Sequence, residues 1–256
     1  MNTQQADWPN LQFDYNNCHV LVTGGTSGIG TGIAAAYRAA GAQVTITGTR
    51  PCAADYDIDL DGYRYLQLDI ENADNISAVA AALPRLDILV NNAGFALPSC
   101  GLDEYEPDVF ERAVRMHLVG GYRMAHGCAD KLLKSTLPGG PSIIGIASMS
   151  SFFGIDVVPG YGAAKTGVVG LTRALAVHWG GRIRVNAVAA GLTASRMTAA
   201  TVANPQWSAP TLARTPAARL GVPQDIAGPV LFLTSAAAGW ITGQTLPVDG
   251  GFTVAG

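Results

Sequence analysis

The sequence predicts an α/β fold: one domain with a seven-stranded parallel sheet, doubly wound, with helices on both faces. Three observations predict it. Short apolar runs alternate with longer helical patterns along the whole chain. The runs are rich in Val, Ile and Leu and are often apolar on successive residues, as strands are when both faces are covered. No linker-like segment or internal repeat interrupts the alternation, and 48% hydrophobic against 14% charged residues in 256 leaves ample material for a two-sided core.

The strands are expected at 19–23 (HVLVT), 43–47 (QVTIT), 63–68 (YRYLQL), 87–91 (DILVN), 142–147 (SIIGIA), 183–188 (IRVNAV) and 244–248 (QTLPV). Helical patterns fill 28–40, 72–83, about 104–135, 161–179 and 223–236. Residues 18–256 make the domain, and 1–17 precede it as an extension. The segment 51–62 gives only twelve residues for the crossover between two parallel strands, near the minimum, so a turn or loop is expected there. It carries Asp55, Asp57, Asp59 and Asp61 before Gly62. D-x-D-x-D-G opens a calcium loop, but the twelfth position, where a bidentate glutamate belongs, is Leu68. A solvated acidic turn is the better reading.

Several classes of function are disfavoured. Net charge is −3 and no basic block occurs, which argues against nucleic acid. The N-terminal stretch MNTQQADWPNLQFDYNN is polar, lacks Lys and Arg, and has no apolar h-region, so no signal peptide is expected. No run of 18 apolar residues suggests a membrane span. Cys18, Cys52, Cys100 and Cys128 form no C-x-x-C pair and suit neither zinc nor a disulfide framework; thiols in a reducing cytoplasm are expected.

The glycine-rich stretch VTGGTSGIGTG (22–32) follows the first strand and opens the first helix. Backbone amides and the helix dipole make an anion site there, and glycine lets a diphosphate approach closely. The spacing is Thr23-Gly24-x-x-x-Gly28-x-Gly30. Asn91-Asn92-Ala93-Gly94 follows the fourth strand, Ser148 ends the fifth, and Tyr161-Gly162-Ala163-Ala164-Lys165 comes thirteen residues later. IRVNAVAAG (183–191) and ITGQTLPVDGG (241–251) complete the set. In order and spacing, these segments resemble the short-chain dehydrogenase/reductase family, in particular its ketoacyl-reductase-like members.

The resemblance implies a Rossmann-like fold and an oxidoreductase that moves a hydride between a nicotinamide cofactor and a ketone or secondary alcohol. Tyr161 and Lys165, four apart on a helix, share one face. The ammonium is expected to lower the phenol pKa, so that Tyr161 can exchange a proton with the substrate oxygen. By resemblance, Lys165 also holds the nicotinamide ribose and Ser148 bonds the substrate oxygen. Where the family carries a catalytic asparagine, this chain has His117 in His117-Leu118-Val119-Gly120, a residue able to keep the backbone role and add a titratable ring. Ala190 stands where the family has proline.

Gly24, Thr26, Ser27, Gly28, Ile29 and Gly30 are expected against the cofactor, with Asp69 and Ile70 at the adenine, and Asn91, Ala93, Gly94, Gly191 and Thr193 towards the nicotinamide. The second strand ends Gly48-Thr49-Arg50 without the acid that binds ribose hydroxyls, and Thr49 and Arg50 are candidate phosphate ligands, so NADP(H) is favoured and NAD(H) is possible. The family's substrate lid corresponds to about 192–222. There Met197, Trp207 and Leu212, opposite Phe95, Met149, Phe152 and Val158, suggest a hydrophobic small-molecule substrate. Family resemblance further implies a cytoplasmic homotetramer or homodimer. The competing reading is a non-catalytic dinucleotide-binding sensor on the same fold; the presence of Ser148, Tyr161 and Lys165 argues against it.

Overall fold

The computed structural model describes residue 8 and residues 11–255 of the chain. Along the chain come β1 (His19–Val22), α1 (Gly28–Ala39), β2 (Gln43–Gly48), β3 (Arg64–Gln67), α2 (Ala73–Ala82), β4 (Ile88–Asn91), α3 (Pro107–Val114) and α4 (Gly120–Leu132). They are followed by β5 (Ser142–Ser148), α5 (Pro159–Trp179), β6 (Arg184–Ala190), α6 (Ala199–Ala203), α7 (Pro205–Arg214), α8 (Pro223–Thr234) and β7 (Thr245–Val248). All seven expected strands form. They pair in parallel in the order β3-β2-β1-β4-β5-β6-β7. The order reverses between β1 and β4, and the crevice outside the carboxyl ends at such a switch point is where doubly wound sheets bind ligands.

Strand residues alternate between two cores, because successive side chains point to opposite faces. Val20, Val22, Ile88 and Val90 pack with Ile33 and Tyr37 of α1 and Ile226 and Val230 of α8. Leu21 and Leu89 pack on the other side with Ile76, Met124 and Leu175, from α2, α4 and α5. The two edge strands, β3 and β7, are the exceptions to double burial, and β7 leaves Leu246 39% exposed.

Three departures from the sequence reading matter. The single helix expected over 104–135 is two helices joined by a π-helical turn at Arg115–Val119, and this turn carries His117 inward. A π-turn adds a residue to the helical circuit and redirects side chains locally, which hydrophobic periodicity does not register. The lid, read without secondary structure, contains the short helices α6 and α7. Of the N-terminal extension, residues 1–7, 9 and 10 lie outside the described residues, but Tyr15 is core: it is 3% exposed and its hydroxyl donates to the carbonyl of Leu231.

The 51–62 crossover contains only a short 3₁₀ turn, Ala53–Asp55. Its acids serve the local backbone: Asp55 accepts from Cys52 N at 3.0 Å and Asp59 from Asp61 N at 2.8 Å.

One buried cation ties the far side of the sheet together. Arg184, at the start of β6, is 6% exposed, and its guanidinium donates to the carbonyls of Gly139 (2.8 Å), Thr234 (3.1 Å), Ser235 (3.2 Å) and Ala238 (3.1 Å), as well as Leu233. Several of these are the unpaired carbonyls at the end of α8, where positive charge is favoured by the helix dipole. Substituting Arg184→Met keeps the chain length and removes the donors. The expected loss is about 3 kcal/mol or more, since each orphaned buried carbonyl costs roughly 1 kcal/mol or more. Urea unfolding of the two proteins, followed by far-UV circular dichroism, measures it.

Candidate active site

After β1 the chain turns through Thr23–Ser27 into α1. Gly24 (φ +66°) and Gly28 (φ +57°) take left-handed conformations. A Cβ on Gly30 would collide with the carbonyl oxygen of Gly24 and lie 2.6 Å from Asn92 Nδ2. The turn is therefore pressed against the loop after β4. Ser27 is the N-cap of α1 and makes no side-chain cap bond, so the first-turn amides at Gly28, Ile29 and Gly30 stay available to an anion at the positive end of the helix. A groove of about 450 Å³ runs along the carboxyl ends of β1, β2 and β4. Ten of the predicted cofactor residues line it: Gly24, Thr26, Ser27, Gly28, Ile29, Thr49, Asp69, Ile70, Ala93 and Gly94. An elongated groove floored by glycine and an uncapped helix start fits a dinucleotide diphosphate.

At the carboxyl end of β5 the four expected catalytic residues converge. Ser148 caps the short turn at Met149–Ser151 by accepting from Ser150 N at 3.2 Å, and its hydroxyl, near the Tyr161 phenol, favours the ionised form of that phenol. Lys165 lies one turn along α5, with Nζ 5.5 Å from the centre of the Tyr161 ring. The His117 ring stands edge-on to Tyr161, with centroids 4.9 Å apart and an 85° interplanar angle.

The electrostatics correct one expectation. The Tyr161 pKa is not lowered in this arrangement but raised: burial disfavours the phenolate, the nearby Ser148 hydroxyl opposes burial, and the charge of Glu104 adds to it. Burial also pushes the Lys165 ammonium down to about 8. Its Nζ donates to the carbonyl of Ile146 at 2.7 Å, which anchors the amine in the sheet.

Besides Tyr161 and Lys165, which stand in the cluster at the end of β5, five predicted cofactor residues are not among those that line the groove. Gly30 lies under the turn. Asn91 points away from the groove, donating to Gly121 O at 2.9 Å, and borders a small cavity of about 40 Å³ shared with His117 and Lys165. Arg50 is stacked over the Tyr56 ring, 4.9 Å from its centroid, because the cation finds an aromatic face closer than the groove. Gly191 and Thr193 border a separate cavity of about 220 Å³, and the Thr193 hydroxyl is turned back onto Gly191 O at 3.0 Å. Of the expected substrate liners, Phe95 and Met197 reach the groove, and Val158 lines another hollow beside Tyr105 and Phe153.

Other residues of the site carry no assignment from sequence. Asn92 Nδ2 donates to Thr23 O (2.9 Å) and Gly24 O (3.2 Å), while Thr23 Oγ1 accepts from the amides of Asn92 (2.9 Å) and Ala93 (3.0 Å). Ser195, from the lid, lines the groove and crosses over Gly28, where an added Cβ would lie 2.8 Å from its own. Glu104, 1% exposed, accepts from Tyr161 N at 2.7 Å and clamps the first turn of α5 from 57 residues away. Only the N-N-A-G motif signalled any of these; a clamp such as Glu104 depends on a long-range contact.

Comparison with known proteins agrees with this geometry. The family model described as Enoyl-(Acyl carrier protein) reductase matches residues 24–253. The chain is 36% identical over 240 residues to a 2-dehydro-3-deoxy-D-gluconate 5-dehydrogenase of Escherichia coli strain K12, covering 91% of this chain and 94% of that one. This chain belongs to the short-chain dehydrogenase/reductase family. It is also 36% identical over 243 residues to a 3alpha-hydroxysteroid dehydrogenase of Mediterraneibacter gnavus (90% and 94% covered). A candidate NAD(P)-dependent gluconate 5-dehydrogenase from Beutenbergia cavernae, solved with NADP at low occupancy, superposes with a TM-score of 0.83 at 34% identity, covering 96% of this chain and 100% of that one.

The protein is an oxidoreductase that transfers a hydride between a nicotinamide dinucleotide and a ketone or secondary alcohol. In this dehydrogenase, His117 departs from the family's asparagine in a defined way. Burial, then the nearby Lys165 charge, pushes its pKa down to about 3, against a favourable bond between Nε2 and Phe95 O at 3.0 Å. The ring is neutral in the folded protein at any pH above that. The unfolded chain, with a pKa near 6.5, binds the extra proton first, so His117 supports stability above pH 6.5 and withdraws that support as pH falls towards 3. Between pH 7 and pH 5 it should account for about 2 kcal/mol of acid destabilisation. The His117→Asn protein should lose correspondingly less over that interval in paired urea unfolding curves. Equal losses would mean that the ring titrates normally.

Proposed function

We propose that Tyr161 is the acid/base of this dehydrogenase, with Ser148 holding the substrate oxygen and Lys165 fixing the phenol beside it. The observation that carries this reading is the convergence at the end of β5, where the Tyr161 phenol lies near Ser148, its ring 5.5 Å from Lys165 Nζ and 4.9 Å from the His117 ring. When bound, the dinucleotide supplies the hydride donor or acceptor at its nicotinamide ring. Gly24, Thr26, Ser27, Gly28 and Ile29 would hold its diphosphate, and Asp69 and Ile70 its adenine. Ser148 Oγ and Tyr161 Oη would meet the carbonyl or alcohol oxygen. In reduction Tyr161 gives that oxygen its proton; in oxidation it takes the proton from the alcohol. Charge growing on the substrate oxygen is met by two hydroxyls already oriented, so little reorganisation accompanies the step. Neutral His117 packs on the phenol and keeps water from that edge, and its backbone can serve where the family uses asparagine.

The substrate we favour is an apolar secondary alcohol or its ketone. Phe95 and Met197 at the groove support this, together with the exposed lid residues Trp207 (50%) and Leu212 (40%). Of the two candidate phosphate ligands, Thr49 lines the groove. Arg50 is engaged by Tyr56, and the choice between the two nucleotides turns on that tyrosine. A cytoplasmic homotetramer or homodimer completes the proposal. The exposed Trp240, Val254 and Val177 support an assembly partner, and the free thiols of all four cysteines suit a reducing compartment.

Tyr161→Phe tests the assignment. It should bind NADH or NADPH as the wild type does, by nicotinamide fluorescence, and lose about 10²- to 10⁴-fold in kcat/KM on a ketone panel. Retained turnover would rule out proton transfer by Tyr161.

A further inference from the structure

In doubly wound dinucleotide-binding folds, the side chain at the end of the second strand meets the adenosine ribose: an acid there takes the ribose hydroxyls and repels a 2′-phosphate. Gly48 occupies that place and supplies no side chain. Read alone, it leaves room for a phosphate. The structure fills that room from elsewhere. The short 51–62 crossover carries Tyr56 back over the end of β2, and a Cβ on Gly48 would collide with the Tyr56 hydroxyl and lie 2.9 Å from Thr26 Cγ2. Thr26, Gly48 and Thr49 all line the groove, and the Tyr56 hydroxyl lies against Gly48.

It is also held there. The Tyr56 hydroxyl accepts from Arg50 N at 3.0 Å, and its ring carries the Arg50 guanidinium at 4.9 Å. Tyr65 backs it, with ring centroids 5.8 Å apart, and anchors the same loop by donating to Arg50 O at 2.5 Å. The nearest cation is thus drawn to an aromatic face, and the volume beside Gly48 holds a neutral hydroxyl.

We propose that Tyr56 replaces the missing strand-end side chain: its hydroxyl meets the adenosine ribose, its ring fills the space a 2′-phosphate would need, and the enzyme therefore selects NAD(H) over NADP(H). A phenol exchanges hydrogen bonds with a ribose hydroxyl without carrying charge. A phosphate in the same place meets a bulky ring and must displace both Tyr56 and the arginine stacked on it. Discrimination of this kind comes from obstructing the competitor as much as from binding the preferred ligand. The proposal reverses the preference read from Gly48, Thr49 and Arg50 in the sequence, and it rests on the groove being the dinucleotide site.

Parallel fluorescence titrations with NADH and NADPH test it on the wild type, Tyr56→Phe and Tyr56→Ala, with circular dichroism to check folding. The wild type should bind NADH at least about tenfold more tightly than NADPH. Tyr56→Ala should gain about tenfold for NADPH, because Thr49 and Arg50 then face an open space, and should lose affinity for NADH. Tyr56→Phe keeps the ring: it should still reject NADPH while weakening NADH by about threefold to tenfold, the value of one hydrogen bond. Equal wild-type affinities, or an unchanged ratio in Tyr56→Ala, would overturn the proposal. If Tyr56→Ala does not fold, unchanged NADH binding by Tyr56→Phe overturns it. Binding of neither nucleotide by the wild type overturns the groove assignment itself, a different failure from a wrong ratio.

Discussion

The contact on which the rest of this structure depends is the clamp between the turn after β1 and the loop after β4. Thr23 and Gly24 accept four hydrogen bonds from Asn92 and Ala93 across the switch point of the sheet. Gly24 and Gly30 come so close to that loop that neither tolerates a Cβ without displacement. The clamp holds together two strands that are neighbours in space and 68 residues apart in sequence. It brings the uncapped start of α1 to the groove floor and places the β4 loop at the groove wall. It also satisfies carbonyls that would otherwise be buried without partners, a cost of roughly 1–3 kcal/mol each. Glycine here serves close approach as much as turn geometry.

The chemistry sits beside that clamp in an unusually dry cluster. Ser148, Lys165 and His117 are each less than a tenth exposed. Burying an ammonium, an imidazole and a phenol together favours their neutral forms, as the directions of all three pKa shifts indicate. Glu104 brings a negative charge close by, and it does so through backbone amides at the start of α5. The carboxylate occupies a position favoured by the helix dipole and holds Tyr161 by its main chain, leaving the phenol free to act. The π-turn supplies the last piece by swinging His117 under Gly94 and against the phenol. Positioning in this site therefore comes from long-range contacts onto α5.

Much was legible in the sequence because it is local. The seven strands, the glycine turn and the Tyr161–Lys165 pair depend on composition, period and spacing over fewer than about ten residues each. The fold class follows from alternation, and the order of motifs follows the chain. Ser148 was legible only because its distance from Tyr161 repeats a family pattern. Spacing does not reveal where side-chain packing decides the outcome, even between residues six or two apart. Arg50 was read as a groove residue, but Tyr56 holds it. Thr193 was read as a ligand contact, but it folds onto Gly191, and Ser195 takes the place over the glycine turn.

The division is physical. A strand, a helix or a glycine turn is specified by steric and hydrophobic preferences that each residue carries wherever it stands, so the sequence by itself determined the doubly wound sheet and the placing of Tyr161 and Lys165 on one helix face. The pKa of a buried phenol, the direction of a cation and the free volume beside a glycine belong to no residue alone. They depend on what is packed within a few ångströms, and only the tertiary structure brought Glu104 to Tyr161, Tyr56 to Gly48 and Ser195 to Gly28.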